Sequence, residues 1–119
     1  MKRILYVEDH KDTAEAVKQM LEDEDYEVSI SFHGKDGLQK ANEKKFDLVL
    51  LDVMLPDMSG WDIFKTLSAK KYSTKYAFLS AIPVSTERMK ELKKAGISDY
   101  ITKPFTRKDL IERIKKILK

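Results

Sequence analysis

Short apolar runs alternate with longer segments of helical periodicity along this chain, and that alternation limits the possible folds more than any other feature. The strand candidates are rich in Val, Ile and Leu and comprise residues 4–7, 28–32, 48–51, 77–79 and 100–101. Residues 48–51 are all apolar, which is typical of a central parallel strand covered on both faces. Five strands that alternate with five helices predict an α/β fold, a doubly wound parallel sheet with right-handed crossovers.

Helical periodicity marks the segments between the strands, and turn residues mark some of their ends. Apolar residues recur at helical spacing in these segments, in five groups: Ala14, Val17 and Leu21; Leu38 and Ala41; Ile63, Phe64 and Leu67; Met89 and Leu92; Leu110, Ile114, Ile117 and Leu118. Asp12 and Thr106 each stand three residues before an acidic residue, the spacing of a capping box, and Ser85 is a candidate N-cap. Gly96 is a natural end for the fourth helix.

The length and composition indicate one domain. A chain of 119 residues, 42% of them hydrophobic, can bury a single core and leaves no room for a second domain. The sequence contains no cysteine, which excludes disulfides and thiolate metal sites. No apolar run approaches the roughly 20 residues that span a bilayer. We therefore expect one domain over residues 1–119, no membrane insertion and a cytoplasmic location.

The formal net charge of +3 is unevenly distributed along the chain. Residues 87–119 contain eleven Lys and Arg against five Asp and Glu, an excess of +6, so residues 1–86 carry −3. Basic side chains on solvated helix faces account for such a pattern, and a docking surface for an acidic partner or for nucleic acid is the alternative. Aromatic residues are not interleaved with these charges as in a nucleic-acid platform, which weighs against direct nucleic-acid binding.

Polar side chains follow several of the predicted strands, at the sheet edge where such folds bind ligands. Glu8 and Asp9 follow the first strand, and Asp52 follows the third. Each alone would be an ordinary turn or cap residue, but three converging carboxylates repel one another unless a hard divalent cation neutralises them. Lys103, in a turn restricted by the next proline, and Ser80, at the end of the fourth strand, are expected at the same edge.

Several segments together resemble the receiver family of two-component signalling. They are Glu8 with Asp9, residues 51–60 (LDVMLPDMSG), Ser80 with Ala81, and residues 100–105 (YITKPF). Each segment is common alone, but their order and spacing are specific, and the resemblance runs from the first strand to the last helix. It implies a flavodoxin-like topology with strand order 2-1-3-4-5 and a receiver domain that occupies residues 1–119.

The resemblance implies that Asp52 is the phosphoacceptor of a signalling switch. Glu8, Asp9, Asp52 and the backbone carbonyl of Met54 would surround a Mg²⁺ ion, with Glu8 where the family more often has Asp. Phosphoryl transfer demands charge neutralisation more than covalent work from the protein, and Mg²⁺ with a nearby lysine can supply it. We therefore expect a phosphoacceptor regulatory domain and not an enzyme, with self-catalysed phosphorylation and dephosphorylation only.

Three further residues have roles in the resemblance. Lys103 would pair with a phosphoryl oxygen, and Ser80, where Thr is frequent in the family, would hydrogen-bond another. Tyr100 matches the family's switch aromatic, although a half-buried strand tyrosine is the plainer interpretation.

The implied partners act before and after Asp52. A sensor histidine kinase or a phosphotransfer protein would donate the phosphoryl group. A downstream protein or effector domain would read the change at the face formed by helix 4, strand 5 and helix 5, and a phosphorylation-dependent dimer could form across the same face. The sequence leaves open the cognate kinase, the signal, the output target and whether the chain stands alone.

Two rival classes share part of this pattern. A phosphatase of the haloacid dehalogenase type also phosphorylates an Asp at a strand end, but it needs a second Asp where this chain has Met54. A flavodoxin-like cofactor binder needs a phosphate loop after the first strand, where Glu8 and Asp9 would repel a phosphate.

His10 adjoins the acidic pair Glu8 and Asp9, but a hard-oxygen Mg²⁺ site has no use for imidazole. Trp61 is expected to pack a helix near the pocket.

Overall fold

The computed structural model describes residues 1–70 and 73–119, and the predicted alternation of strands and helices is confirmed. The elements in chain order are β1 (Arg3–Val7), α1 (Lys11–Glu22), β2 (Glu27–Ser31), α2 (Gly34–Glu43), β3 (Leu48–Leu51), α3 (Gly60–Ser68), β4 (Lys75–Ser80), α4 (Thr86–Ala95), β5 (Asp99–Thr102) and α5 (Arg107–Ile117). Within these ranges no helix is both long and apolar enough to cross a membrane.

All strand pairs are parallel, and the order across the sheet is β2-β1-β3-β4-β5, as predicted. The four residues of β3 are buried, because helices cover both faces of this central strand. The chain leaves β1 for β2 on one side and later returns to β3 on the other. The strand order therefore reverses between β1 and β3, and the residues that follow these two strands lie side by side at the sheet edge where folds of this class bind ligands.

Two hydrophobic cores lie on opposite faces of the sheet. Alternate residues of β1 serve different cores, since successive strand side chains project to opposite faces: Ile4 and Tyr6 face α1 and α5, whereas Leu5 and Val7 face α2, α3 and α4. α4 contributes little to its core, because Leu92 is its one buried residue. The position of α4 therefore depends on few apolar contacts.

α2 has a short apolar stripe and packs closely against the sheet. Its buried residues are two glycines, Gly34 and Gly37. A Cβ at Gly37 would lie 2.7 Å from Val7 Cγ2, so the backbone of α2 packs directly on the β1 side chains. Glycine therefore takes the place that a larger apolar residue would fill in a helix held farther from the sheet.

Three of the predicted helix ends are confirmed. Thr106 and Ser85 cap α5 and α4 through their side-chain oxygens, which accept from backbone N–H groups three residues on. Gly96 ends α4 with φ of 112°, a left-handed conformation that glycine adopts without steric cost.

The predicted capping box at Asp12 is wrong. α1 begins at Lys11, and its N-cap is His10, whose Nδ1 accepts a hydrogen bond from the Thr13 backbone N–H at 3.3 Å. The helix starts earlier because an imidazole nitrogen in its unprotonated form is an acceptor of the required kind, an option that residue statistics for caps rank low.

Candidate functional site

The ends of β1 and β3 bring three acidic side chains together. Carboxylate oxygens of Glu8, Asp9 and Asp52 all lie within 4.8 Å of one another. Glu8 and Asp52 are 1% and 9% exposed, whereas Asp9 is open to solvent. The backbone N–H of Asp52 donates to the carbonyl of Val7 at 3.1 Å, so parallel pairing extends past β3 and fixes the two segments against each other. The structure thus brings together the three carboxylates that the sequence predicts at this edge.

Lys103 reaches the same cluster from the end of β5, the strand at the edge of the sheet. It follows β5, before a cis peptide bond to Pro104, and its backbone N–H donates to the carbonyl of Ser80 at 2.8 Å. Its ammonium group donates to Glu8 Oε1, and Nζ lies 3.5 Å from Asp52 Oδ2. The side chain of Lys103 is 19% exposed, and its positive charge partly neutralises the two buried carboxylates.

Glu8 has donors around both of its oxygens. Besides Lys103, the Tyr6 hydroxyl donates to Oε1 at 3.0 Å and the His10 backbone N–H donates to Oε2 at 3.2 Å. Burial alone would raise the pKa of Glu8, but the hydrogen bonds from Lys103, His10 and Tyr6 outweigh it and hold this pKa below its ordinary value. Glu8 is therefore a buried carboxylate that stays ionised.

Asp52 is in the opposite electrostatic situation. Burial raises the pKa of its carboxyl; the charge of Lys103 opposes that rise, and the neighbouring charge of Glu8 adds to it. The Met54 backbone N–H donates to Asp52 Oδ1 at 3.4 Å. Negative charge on Asp52 is therefore only partly compensated by the protein groups around it.

The loop after Asp52 is closely held at both ends. Met54 pairs with Ser59 in an antiparallel bridge, and the Gly60 N–H donates to the Val53 carbonyl at 2.8 Å. The side chain of Met54 is exposed, which leaves its backbone as the part of this residue near Asp52. The loop thus returns sharply to α3 beside the acidic cluster.

Asp57, in the same loop, caps a different helix. Its two carboxylate oxygens accept from the N–H groups of Gly34 and Lys35, at 2.8 and 2.9 Å, at the start of α2. These hydrogen bonds lower the pKa of the Asp57 carboxyl. Sequence reasoning missed this contact, because the two partners are more than twenty residues apart and no local motif predicts it.

Ser80 and Tyr100 both bind the turn that follows β4. Ser80 is buried, and its Oγ accepts from the Ile82 N–H at 3.3 Å. Tyr100 is 6% exposed, more buried than a half-buried strand residue, and its hydroxyl donates to the Ile82 carbonyl. One residue of the β4–α4 turn is therefore held by both side chains.

Trp61 and His10 lie near the acidic cluster without joining it. Trp61 packs against Phe64, lies beneath the Arg88 guanidinium at 5.3 Å and lines a cleft of about 220 Å³ between α3 and α4. Its predicted packing role is confirmed. The His10 ring caps α1, and in residues 1–70 and 73–119 the cluster of possible metal ligands is made of carboxylates only.

The donor set fits a hard divalent cation. Mg²⁺ prefers oxygen ligands and is commonly bound by one or two carboxylates together with water. Glu8 and Asp52 offer buried carboxylate oxygens, and Asp9 offers an exposed one on the solvent side. Three negative charges against the single ammonium of Lys103 leave an excess that a divalent cation would balance.

The chain belongs to the response regulator receiver domain family, whose model matches residues 4–115. This family assignment excludes the two rival classes, the dehalogenase-type phosphatase and the flavodoxin-like cofactor binder. The chain is therefore the receiver domain of a regulator, a class consistent with phosphorylation-dependent signalling, and not a conventional enzyme.

Individual relatives agree with this assignment. The transcriptional regulatory protein DltR of Streptococcus agalactiae is 41% identical over 113 residues, which is 95% of this chain and 50% of that protein. The chain spans about half the length of the curated relatives that it matches. A CheY-like receiver domain protein from Methanospirillum hungatei superposes with a TM-score of 0.90 at 36% identity, over 99% of this chain and 94% of the other.

A second solved structure was determined with ligands in place. The response regulator TrrA from Thermotoga maritima, in complex with Mg²⁺ and beryllofluoride, superposes with a TM-score of 0.85 at 32% identity. The match covers 99% of this chain and all of that one.

Proposed function

We propose that this receiver domain, residues 1–119, is a switch in which Asp52 accepts a phosphoryl group from a histidine kinase or a phosphotransfer protein. The observation that carries the proposal is the position of Asp52, buried between the ammonium of Lys103 and two further carboxylates at the strand-order reversal. A carboxylate oxygen of Asp52 would attack the phosphorus atom while the bond from phosphorus to the donor's imidazole nitrogen breaks. The imidazole keeps the electron pair of that bond, and the product is an acyl phosphate.

Glu8, Asp9, Asp52 and the backbone carbonyl of Met54 would hold Mg²⁺. The bound ion would supply positive charge opposite the phosphoryl oxygens. The all-oxygen cluster supports this part of the proposal, as does the similarity to a structure solved with Mg²⁺ and beryllofluoride. Asp9 would complete the set from the solvent side because it is the exposed member of the cluster.

Lys103 and Ser80 would receive the phosphoryl oxygens. The Lys103 ammonium already lies 3.5 Å from Asp52 Oδ2, so a short movement would bring it to an oxygen of a group bound there. The Ser80 hydroxyl accepts from the Ile82 N–H, and its own proton would be donated to a second phosphoryl oxygen when the hydroxyl turns toward it. Neither residue would need to leave its place at the end of its strand.

The output surface would be the face of α4, β5 and α5. When Ser80 turns to a phosphoryl oxygen, the hydrogen bond from Ile82 weakens, and Tyr100 is released from the other side of the same turn. This turn leads into α4, which has little buried apolar surface to hold it in place. The shift would be read by a downstream protein or effector domain, or by a second copy in a phosphorylation-dependent dimer.

Intact mass spectrometry tests the assignment of Asp52. Wild type, Asp52→Asn and Asp62→Asn are incubated with acetyl phosphate and Mg²⁺, and the addition of one phosphoryl group is followed with time. We expect wild type and Asp62→Asn to gain the added mass and Asp52→Asn to remain unmodified. Asp62 is the matched control because it is an exposed acid in the first turn of the neighbouring α3. Equal phosphorylation of Asp52→Asn would contradict the proposal.

A further inference from the structure

Tyr6 lies on β1, two residues before Glu8 of the acidic cluster. Residues two apart in a strand project to the same face, so Tyr6 and Glu8 both lie on the side of the sheet that packs against α1 and α5. The Tyr6 ring is completely buried, and its hydroxyl donates to Glu8 Oε1 at 3.0 Å. The other buried side chains of this strand are aliphatic: Ile4, Leu5 and Val7. A phenol in this position is therefore a polar group that the core tolerates because its hydroxyl donates a hydrogen bond to Glu8.

The donors around Glu8 divide between its two oxygens. His10 donates to Oε2 through the backbone, whereas Tyr6 and Lys103 both donate to Oε1. The Tyr6 hydroxyl comes from a rigid ring in the core, while the ammonium of Lys103 is at the end of a flexible side chain. A carboxylate that accepts from fixed donors on both oxygens is held in one orientation.

We infer that Tyr6 is a positioning residue, whose hydroxyl holds the Glu8 carboxylate in the orientation from which Glu8 binds the cation. The inference rests on the proposed function and extends it to a residue to which the family resemblance gives no role. Lys103 is required by the phosphoryl group as well as by Glu8. Because Tyr6 continues to donate to Oε1, Lys103 can turn to a phosphoryl oxygen without leaving Glu8 Oε1 unsatisfied.

The substitution Tyr6→Phe tests the inference, since it removes the hydroxyl and keeps the ring. Mg²⁺ is titrated into the full chain, and the amide NMR signals of Glu8, Asp9 and Asp52 report the dissociation constant. We expect Tyr6→Phe to raise that constant about 10-fold, the lower end of the range for removing a hydrogen-bond partner of a metal ligand. Tyr76→Phe is the matched control, because Tyr76 is a strand tyrosine that is 6% exposed in the opposite core. It should bind Mg²⁺ as wild type does.

A second readout separates positioning from general loosening of the core. The carboxyl carbon resonance of Glu8, recorded in EDTA, should shift in Tyr6→Phe and stay in place in Tyr76→Phe. Wild-type affinity in Tyr6→Phe, or an equal loss in Tyr76→Phe, overturns the inference and leaves the proposed function standing. Failure of wild type itself to bind Mg²⁺ overturns both.

Discussion

Gly60 packs against the backbone of Asp52 more closely than any side chain would allow. A Cβ at position 60 would lie 2.1 Å from the carbonyl oxygen of Asp52 and 3.2 Å from Phe78 Cε1. The start of α3 and the end of β3 are therefore pressed together beside the carboxylate proposed to accept phosphate. The requirement for glycine here is steric, since the backbone of Gly60 is helical and is not in a left-handed conformation.

The substitution Gly60→Ala should therefore disturb both stability and phosphorylation. The new methyl group meets backbone, which cannot turn away as a side chain can, and we expect a loss of about 1–3 kcal/mol in the free energy of unfolding. Gly96→Ala is the control, because its cost arises from the positive φ and not from a contact with the site. Denaturant unfolding and the rate of phosphorylation by acetyl phosphate should show that Gly96→Ala loses only stability. Normal phosphorylation of Gly60→Ala would contradict the steric argument.

Asp52→Asn should raise the stability of the chain in EDTA. The pKa of Asp52 is raised, so the folded chain binds the proton more tightly than the unfolded chain does, and stability falls as pH rises through the ionisation of Asp52. Removing this charge should add about 1–2 kcal/mol at pH 7 and less at pH 4. Thermal unfolding at the two pH values measures the difference, and Mg²⁺ should narrow it. A variant that melts below wild type in EDTA would show that the carboxylates are not crowded.

Asp57→Asn should weaken the contact between the β3–α3 loop and α2. The pKa of Asp57 is lowered, so its ionised form contributes stability above the unfolded pKa, and that contribution disappears as pH falls through the folded pKa. We expect the variant to melt below wild type at pH 7, and the two melting curves to converge in acid. A difference that stays constant from pH 7 to acid would mean that charge on Asp57 has no part in the cap.

His10→Ala should lower stability without changing Mg²⁺ binding. The variant loses the side chain that caps α1, at a cost of about 1 kcal/mol, but keeps the backbone N–H that donates to Glu8. Denaturant unfolding and a Mg²⁺ titration measure the two effects separately. A large fall in Mg²⁺ affinity would indicate that the imidazole is a ligand after all.

Binding of beryllofluoride with Mg²⁺ should change the environment of α4, β5 and α5. These two ligands stand in for the phosphoryl group and its metal, and the turn at Ile82 would carry their effect from Ser80 and Tyr100 to α4. Amide NMR shifts recorded with and without the ligands should therefore extend through residues 87–119. Large shifts confined to residues 8–60 would show that this face is not the output surface. Tyr100→Phe, which lacks the hydroxyl bound to Ile82, should reduce the ligand-dependent shifts in α4.

The order and type of the elements could be predicted from the sequence because they follow from local periodicity. An all-apolar run as short as Leu48–Leu51 favours a strand covered on both faces over a buried helix, which needs a longer segment, and helical spacing indicates which face of each helix is buried. The error at the start of α1 has a local cause too. Histidine is not among the preferred N-cap residues, so the sequence favoured Asp12 although the His10 side chain can also accept the capping hydrogen bond.

The convergence of Glu8, Asp9 and Asp52 could be predicted for a similar reason. Each lies at the carboxyl end of a strand, and parallel strands bring those ends to one edge of the sheet. The family resemblance narrowed the prediction further, to particular roles for these residues and for Lys103. Those roles remain proposals that the experiments above can test.

Only the tertiary structure decided which group holds which within the site. Three contacts show this: the hydrogen bond from Lys103 to Glu8, the hydrogen bond from the Tyr6 hydroxyl to Glu8, and the cap that Asp57 forms at the start of α2. Each depends on distances of a few ångströms between donor and acceptor. Sequence periodicity predicts the face of the sheet and the edge at which a side chain lies, but not its rotamer or its hydrogen-bond partner. The choice of partner depends on burial and on competition among donors, which exist only when all the strands and loops are packed together.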